Sequence, residues 1–128
     1  MIRLELVTAL VSLNDLKGRH WSARSAGKTA WAAELTYRRA HARAPKTPPA
    51  GLQIVTIERL MLPNERPFDE DNLVGGSAKS LIDCLTRLGF WPDDNPKWLD
   101  RQYHQRPATE AERKAGTRTI VEITKALT

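Results

Sequence analysis

A single cysteine, Cys84, stands in the 128 residues of this chain. One thiol makes neither an internal disulfide nor a thiolate zinc cage, which removes disulfide scaffolds and zinc fingers from consideration. Long apolar runs are missing too, none approaching the roughly 20 residues of a membrane-spanning helix. The N-terminal MIRLELVTALVSL is apolar, but it carries Glu5 and no small-residue cleavage site, so it reads as a strand rather than a signal peptide. No internal repeat and no low-complexity tract is visible. With 41% hydrophobic and 27% charged residues the composition is that of a globular protein without a membrane, and cytoplasm is the expected location. At this length one domain, residues 1–128, buries about two-thirds of its unfolded surface.

Acid is scarce between Lys17 and Lys46. There Lys17, Arg19, Arg24, Lys28, Arg38, Arg39, Arg43 and Lys46 face one carboxylate, Glu34, in a chain of formal net charge +5, so the remainder is net negative. A polycationic stretch beside an acidic remainder suits a polyanionic ligand gripped by one segment and worked on by another. Trp21, Trp31 and Tyr37 are interleaved with these charges, where a ring either stacks on a base or anchors a core. A solvated basic helix face is the plain alternative.

Alternation at period 2 marks Ile2 to Val7 as a strand, followed by a polar basic loop, SLNDLKGRHWSAR. An Ala-rich helix is expected from about Ser25 to Ala42, with Trp31 and Leu35 inward, stopping before Pro45. APKTPPAG is a stiff connector. Leu52 to Leu62 reads as the best strand in the sequence. A helix is expected from Ser77 or Ala78 to Leu88, because Leu81, Leu85 and Leu88 fall at helical spacing and Gly89 supplies a left-handed end. KWLDRQYHQ and TRTIVEITKAL read as two further strands, Leu99 and Tyr103 sharing a side of the first. The order β, α, β, α, β, β predicts one compact α+β domain, a mixed sheet packed with two main helices.

Carboxylates gather at both ends of the second helix. Asp69, Glu70 and Asp71 precede it and Asp93 and Asp94 follow it. In an extended chain Asp69 and Asp71 project to one side and Glu70 away, and a fold-back of the loops brings Asp94 to them. Three carboxylates without a histidine or cysteine cluster favour Mg²⁺ or Mn²⁺ over Zn²⁺. A cation would turn mutually repelling acids into a phosphate-binding, water-activating site. Read locally, DEDN is a helix N-cap region and PDDNP a turn, Asn72 caps, and Asp83 pairs with Lys79.

The segment DEDNL…K…IDCL…LGFWPDD resembles the RusA family of Holliday junction resolvases, whose pattern is D-x-D-N-L, a lysine ahead of D-x-L, a glycine-containing turn and a D-D pair. SLNDLKGRHW is similar to that family's basic segment after its first strand. The resemblance implies that Asp69, Asp71 and Asp94 bind Mg²⁺ (or Mn²⁺ in its place) and act in catalysis. It implies a catalytic lysine, which K-x-x-x-D-x-L matches to Lys79; the family's usual position, four residues after the second aspartate, is Gly75 here. That difference implies a four-residue insertion around GGSA, with Gly75 and Gly76 either looping out or bringing backbone amides to a phosphate. It further implies a homodimer that cuts opposed strands of a four-way DNA junction, a branched substrate with matching two-fold symmetry. Lys17, Arg19, His20, Arg24 and Lys28 are the candidate DNA-backbone contacts, and Phe90 and Trp91 are expected to pack beside the acidic turn rather than wedge between bases. Two other functions share these residues: a junction-binding module that no longer cuts, and a nuclease for flaps or other branched DNA.

Overall fold

The computed structural model describes residues 1–17, 28–37 and 49–126. In chain order these form β1 (Ile2–Leu6), α1 (Leu13–Lys17), a helix α2 over residues 28–37, β2 (Gln53–Met61), α3 (Glu70–Gly75), α4 (Ser77–Arg87), β3 (Leu99–Pro107), α5 (Glu110–Ala115) and β4 (Thr119–Lys125). The four strands make one mixed sheet in the order β1-β4-β2-β3, antiparallel except for the β2–β3 pair. The expected α+β class and mixed sheet are what the chain adopts. A parallel pair needs a long crossover, and α3 and α4 supply it.

Period-2 alternation decides which side of the sheet is closed. Leu4, Leu6, Val55, Ile57, Val121, Ile123 and Leu99 share one face and pack against Leu10, Trp31, Leu35, Leu73, Leu81, Ile82, Leu85, Phe90 and Trp91 in a single buried cluster. Trp31 is thereby a core anchor, as are Phe90 and Trp91, whereas Tyr37 is 59% exposed. Among the described residues the opposite face holds a small cluster of Leu60, Ala108 and Ile120, beside the turn into α5. Of the helices expected from apolar periodicity the second is present as α4 and the first over residues 28–37, its expected ends near Ser25 and Ala42 and the start of the connector APKTPPAG lying outside the described residues. Helix α4 ends where Gly89 takes a positive φ of 89°; the Gly89 N–H donates to the Thr86 carbonyl and the Phe90 N–H to Leu85, a Schellman closure.

Three short helices depart from the expected pattern. Residues 13–17 are helical rather than loop, α3 starts at Glu70 where the chain was read as extended, and α5 falls between the last two strands. Each has five or six residues, too few for a helical apolar period to show, and local capping decides them instead. Gly76 marks the break between α3 and α4. It is neither looped out nor open to a ligand: a side chain there would overlap the Val11 carbonyl oxygen, and the Val11 carbonyl accepts from the Ser77 N–H at 2.9 Å. The apparent insertion is absorbed as a tightly docked joint between two helices. Among the described residues no helix is long and apolar enough to cross a membrane.

Candidate acidic cleft

Asp69 lies beyond the end of β2 and Asp94 before the start of β3, so the crossover alone would leave them at opposite ends of a parallel pair of nine-residue strands. The loop that follows β2 folds back, and Arg101 of β3 reaches out to Asp94. Residues 62–69 return along the sheet under a set of side-chain bonds that begins at Arg59, only 4% exposed at the inner face of β2. Its guanidinium stacks on the Phe68 ring at 3.6 Å and donates from Nη1 to the Arg66 carbonyl (3.0 Å) and to Gln105 Oε1 (3.1 Å). Burial pulls the Arg59 pKa down, the Glu65 carboxylate opposes that, and neighbouring Arg118 adds to it. Glu65 in turn accepts from Leu62 N–H at 2.8 Å and from Arg118 Nη2 at 2.8 and 3.0 Å.

This loop delivers Asp69 as the N-cap of α3, with φ −68° and ψ 166°. Its Oδ1 accepts from the Asn72 N–H at 2.9 Å and its Oδ2 from the Asn72 side-chain amide at 3.0 Å. The local capping reading of DEDN therefore holds, and the period-2 pairing of Asp69 with Asp71 does not. Once the backbone turns helical at Glu70, residues two apart are rotated by about 200° about the axis and point to nearly opposite sides. Asp71 is exposed in the first turn of α3, and no described residue pairs with either Asp71 or Glu70. Glu70, expected to point away, lines a cleft instead.

At the other loop, the Asp94 N–H donates to Asp93 Oδ1 at 2.8 Å and Asn95 Nδ2 to Asp93 Oδ2 at 2.8 Å, the local turn chemistry expected of PDDNP. Asp94 itself is held by Arg101 of β3, which donates to its carbonyl at 2.8 Å and sits 3.3 Å from its Oδ2. A cleft between α3 and the edge strand β3 has a volume of about 510 Å³. Glu70, Leu73 and Val74 of α3 form one wall, and Arg101, Tyr103, His104 and Gln105 of the edge strand form the other. The cleft thus joins the helix that carries Asp69 and Asp71 to the arginine that holds Asp94. Lys79 is exposed in the first turn of α4, outside the cleft lining, and forms no ion pair with Asp83.

For a divalent cation, the donor chemistry fits and the arrangement is incomplete. Asp69, Asp71 and Asp94 offer only hard carboxylate oxygens, the set that Mg²⁺ and Mn²⁺ prefer. Among the described residues, however, no three carboxylate, imidazole or thiol groups gather closely enough to hold a metal ion. Asn72 engages both oxygens of Asp69, and Arg101 serves as the cation for Asp94.

The basic segment begins at the end of α1, which meets α3 at Asn72 and Gly75, on the side of that helix away from the cleft-lining Glu70, Leu73 and Val74. Helix α1 packs on α3, the Asn14 N–H donating to Asn72 Oδ1 at 2.9 Å, and its last residue is Lys17. The Lys17 side chain and Arg19, His20, Arg24 and Trp21 lie outside the described residues; Lys28 opens the described part of α2 and is exposed.

No protein-family model matches this chain, and no curated protein matches it. The site therefore rests on its own geometry. Arg101 and Gln105 escaped the reading of the sequence, which turned Glu70 away from the site and gave Tyr103 a strand face alone. Arg101 and Gln105 reach partners 7 and 37 residues away, and no local motif encodes such pairings.

Proposed function

We propose that this chain is a divalent-metal-dependent endonuclease for branched DNA, with the four-way junction as its first substrate, acting as a cytoplasmic homodimer. The observation that carries the reading is one cleft lined both by Glu70, which stands between Asp69 and Asp71 at the start of α3, and by Arg101, the residue that holds Asp94. Asp69, Asp71 and Asp94 are the residues that would hold Mg²⁺ or Mn²⁺, which supplies water activation and charge neutralisation at a phosphodiester. Lys17, Arg19, His20, Arg24 and Lys28 grip the sugar-phosphate backbone, and their attraction is sequence-independent and salt-sensitive. Lys79 adds positive charge on the acidic side. Arg101 holds Asp94 until a cation takes its place.

A second reading, a junction-binding module that does not cut, draws on Lys79 outside the cleft lining and on the lack, among the described residues, of three metal-ligating groups in one place. A paired gel-shift and nicking assay on a four-way junction and a linear duplex of equal length separates the two. The nuclease cuts the junction in Mg²⁺ or Mn²⁺ and spares the duplex. Binding without cutting in either metal overturns the enzyme, equal cutting of the duplex overturns junction preference, and preference for a flap over the junction moves the substrate to other branched DNA.

A further inference from the structure

On one face of β3, residues 99, 101, 103 and 105 alternate with residues turned to the other side. Two of them hold the two acidic loops. Arg101 donates to the Asp94 carbonyl at 2.8 Å. Gln105 grips the main chain just before Asp69: its Nε2 donates to the Phe68 carbonyl at 2.7 Å and its Oε1 accepts from the Phe68 N–H at 2.9 Å. Oε1 also accepts from Arg59 at 3.1 Å, so a flipped amide would set its NH₂ against two donors and its oxygen against a carbonyl. One orientation satisfies all three bonds. Phe68 cannot shift along the strand while they hold, and the α3 N-cap follows it directly.

We propose that Arg101 and Gln105 are a matched pair of positioning residues, and that β3 sets the separation of the two halves of the acidic site. Their anchor points are four residues apart, about 13 Å along an extended strand. Tyr103 lies between them and lines the cleft floor. This rests on the nuclease reading for its catalytic meaning, though the clamp on Phe68 stands without it. Side chains that fix geometry without touching the reacting atoms act on turnover rather than on substrate affinity.

The test compares Gln105→Leu, Gln105→Glu and Arg101→Gln with the wild type, and with Gln102→Leu, whose residue lies on the other face of the same strand. Amide exchange at Asn72 and Leu73, both of which donate to Asp69, should accelerate at least tenfold in Gln105→Leu and less in Gln105→Glu, which retains the acceptor oxygens. In Arg101→Gln and Gln102→Leu it should not change. On a four-way junction with Mg²⁺, Gln105→Leu and Arg101→Gln should each lower kcat ten- to a hundredfold with KM changed less than twofold, and Gln102→Leu should cut normally. If Gln105→Leu does not fold, Gln105→Glu carries the test, with faster Asn72 and Leu73 exchange expected. Unchanged exchange in the folded Gln105 variants overturns the clamp. Faster exchange with normal kcat overturns the positioning role. Wild-type protein that cuts no branched DNA defeats the nuclease reading instead, and the exchange result alone then decides the clamp.

Discussion

Helices α3 and α5 have the same length and a similar beginning, yet their acids have opposite fates. Both have six residues, follow a strand and start at a side-chain N-cap, Asp69 in one and Thr109 in the other. In α5 the third residue, Glu112, closes a capping box and receives a two-pronged bond from Arg106, 2.7 Å to each oxygen, while Arg106 also reaches Glu58 at 3.0 Å. The helix then offers Arg113 and Lys114 in its last turn and closes on Gly116 at φ 76°. Helix α3 has acids in its first turn, none of the basic residues that would complement its last, and no described partner for Glu70 or Asp71. In α5 the acid that has found a two-pronged arginine within the fold is structural. Carboxylates left facing water beside a cleft are where an external cation or ligand has room to act.

The largest expected effect breaks that contrast on the α3 side. Asp71→Asn should reduce junction cleavage in Mg²⁺ by about a thousandfold, roughly 4 kcal/mol of barrier, while metal-free junction affinity in a gel shift stays level or rises slightly. Loss of binding, or cleavage within a few-fold of wild type, would show that the free acids of α3 are not the reactive ones. Next come the helix ends. Gly76→Ala forces a methyl into the Val11 carbonyl and within 2.9 Å of the Asn72 oxygen, with an expected loss of about 3 kcal/mol or more in urea unfolding. Gly116→Ala meets nothing nearer than Val7 at 4.0 Å and carries only the positive-φ strain of about 1 kcal/mol.

A smaller effect distinguishes the satisfied acid of α5. The bond from Arg106 holds the Glu112 carboxyl at about 2, against an ordinary 4.5, with burial opposing and the Thr109 N–H assisting. Because the folded value lies below the unfolded one, the stabilisation is complete above about 4.5 and drains away as pH falls toward about 2, an effect on the order of 2 kcal/mol. Urea midpoints measured from pH 6 down to pH 3 should fall more steeply for wild type than for Glu112→Gln, which should cleave junctions normally at neutral pH. The smallest effect is expected from Lys114→Ala. Its pair with Glu110 is 3.3 Å long with both side chains about three-quarters exposed, and its removal should change stability by less than about 0.5 kcal/mol.

Strands β2 and β4 were legible because β-branched residues are dense in QIVTIERLM and TIVEITK, and α4 was legible because Leu81 and Leu85 repeat on one side and Gly89 stops it. Helix α5 had a readable signal in Thr109, Glu112 and Gly116, a capping box with a glycine stop, which an apolar-period search passes over. Helix α3 was foreshadowed by Asp69 as an N-cap, and reading the chain there as extended concealed it. Of the site, the order and spacing of the acids could be read. The cleft could not, because Arg101, Gln105 and Arg59 gain their meaning only from partners delivered by the crossover.

The position of β4 sets a timetable for folding. It is the last of the four strands in sequence and yet lies inside the sheet, hydrogen-bonded to β1 on one side and β2 on the other. Until it arrives, β1 has no neighbour, and β2 and β3 form a two-stranded ribbon of the kind that is marginal by itself. Its pairings with β1 join residues more than a hundred positions apart, Ile2 with Ile123 among them, and ends so distant in sequence meet slowly. The core formed by Leu4, Val55, Val121 and α4 therefore closes late and as one event, and a ribosome must release β4 before the acidic cleft has a rigid wall to lean on.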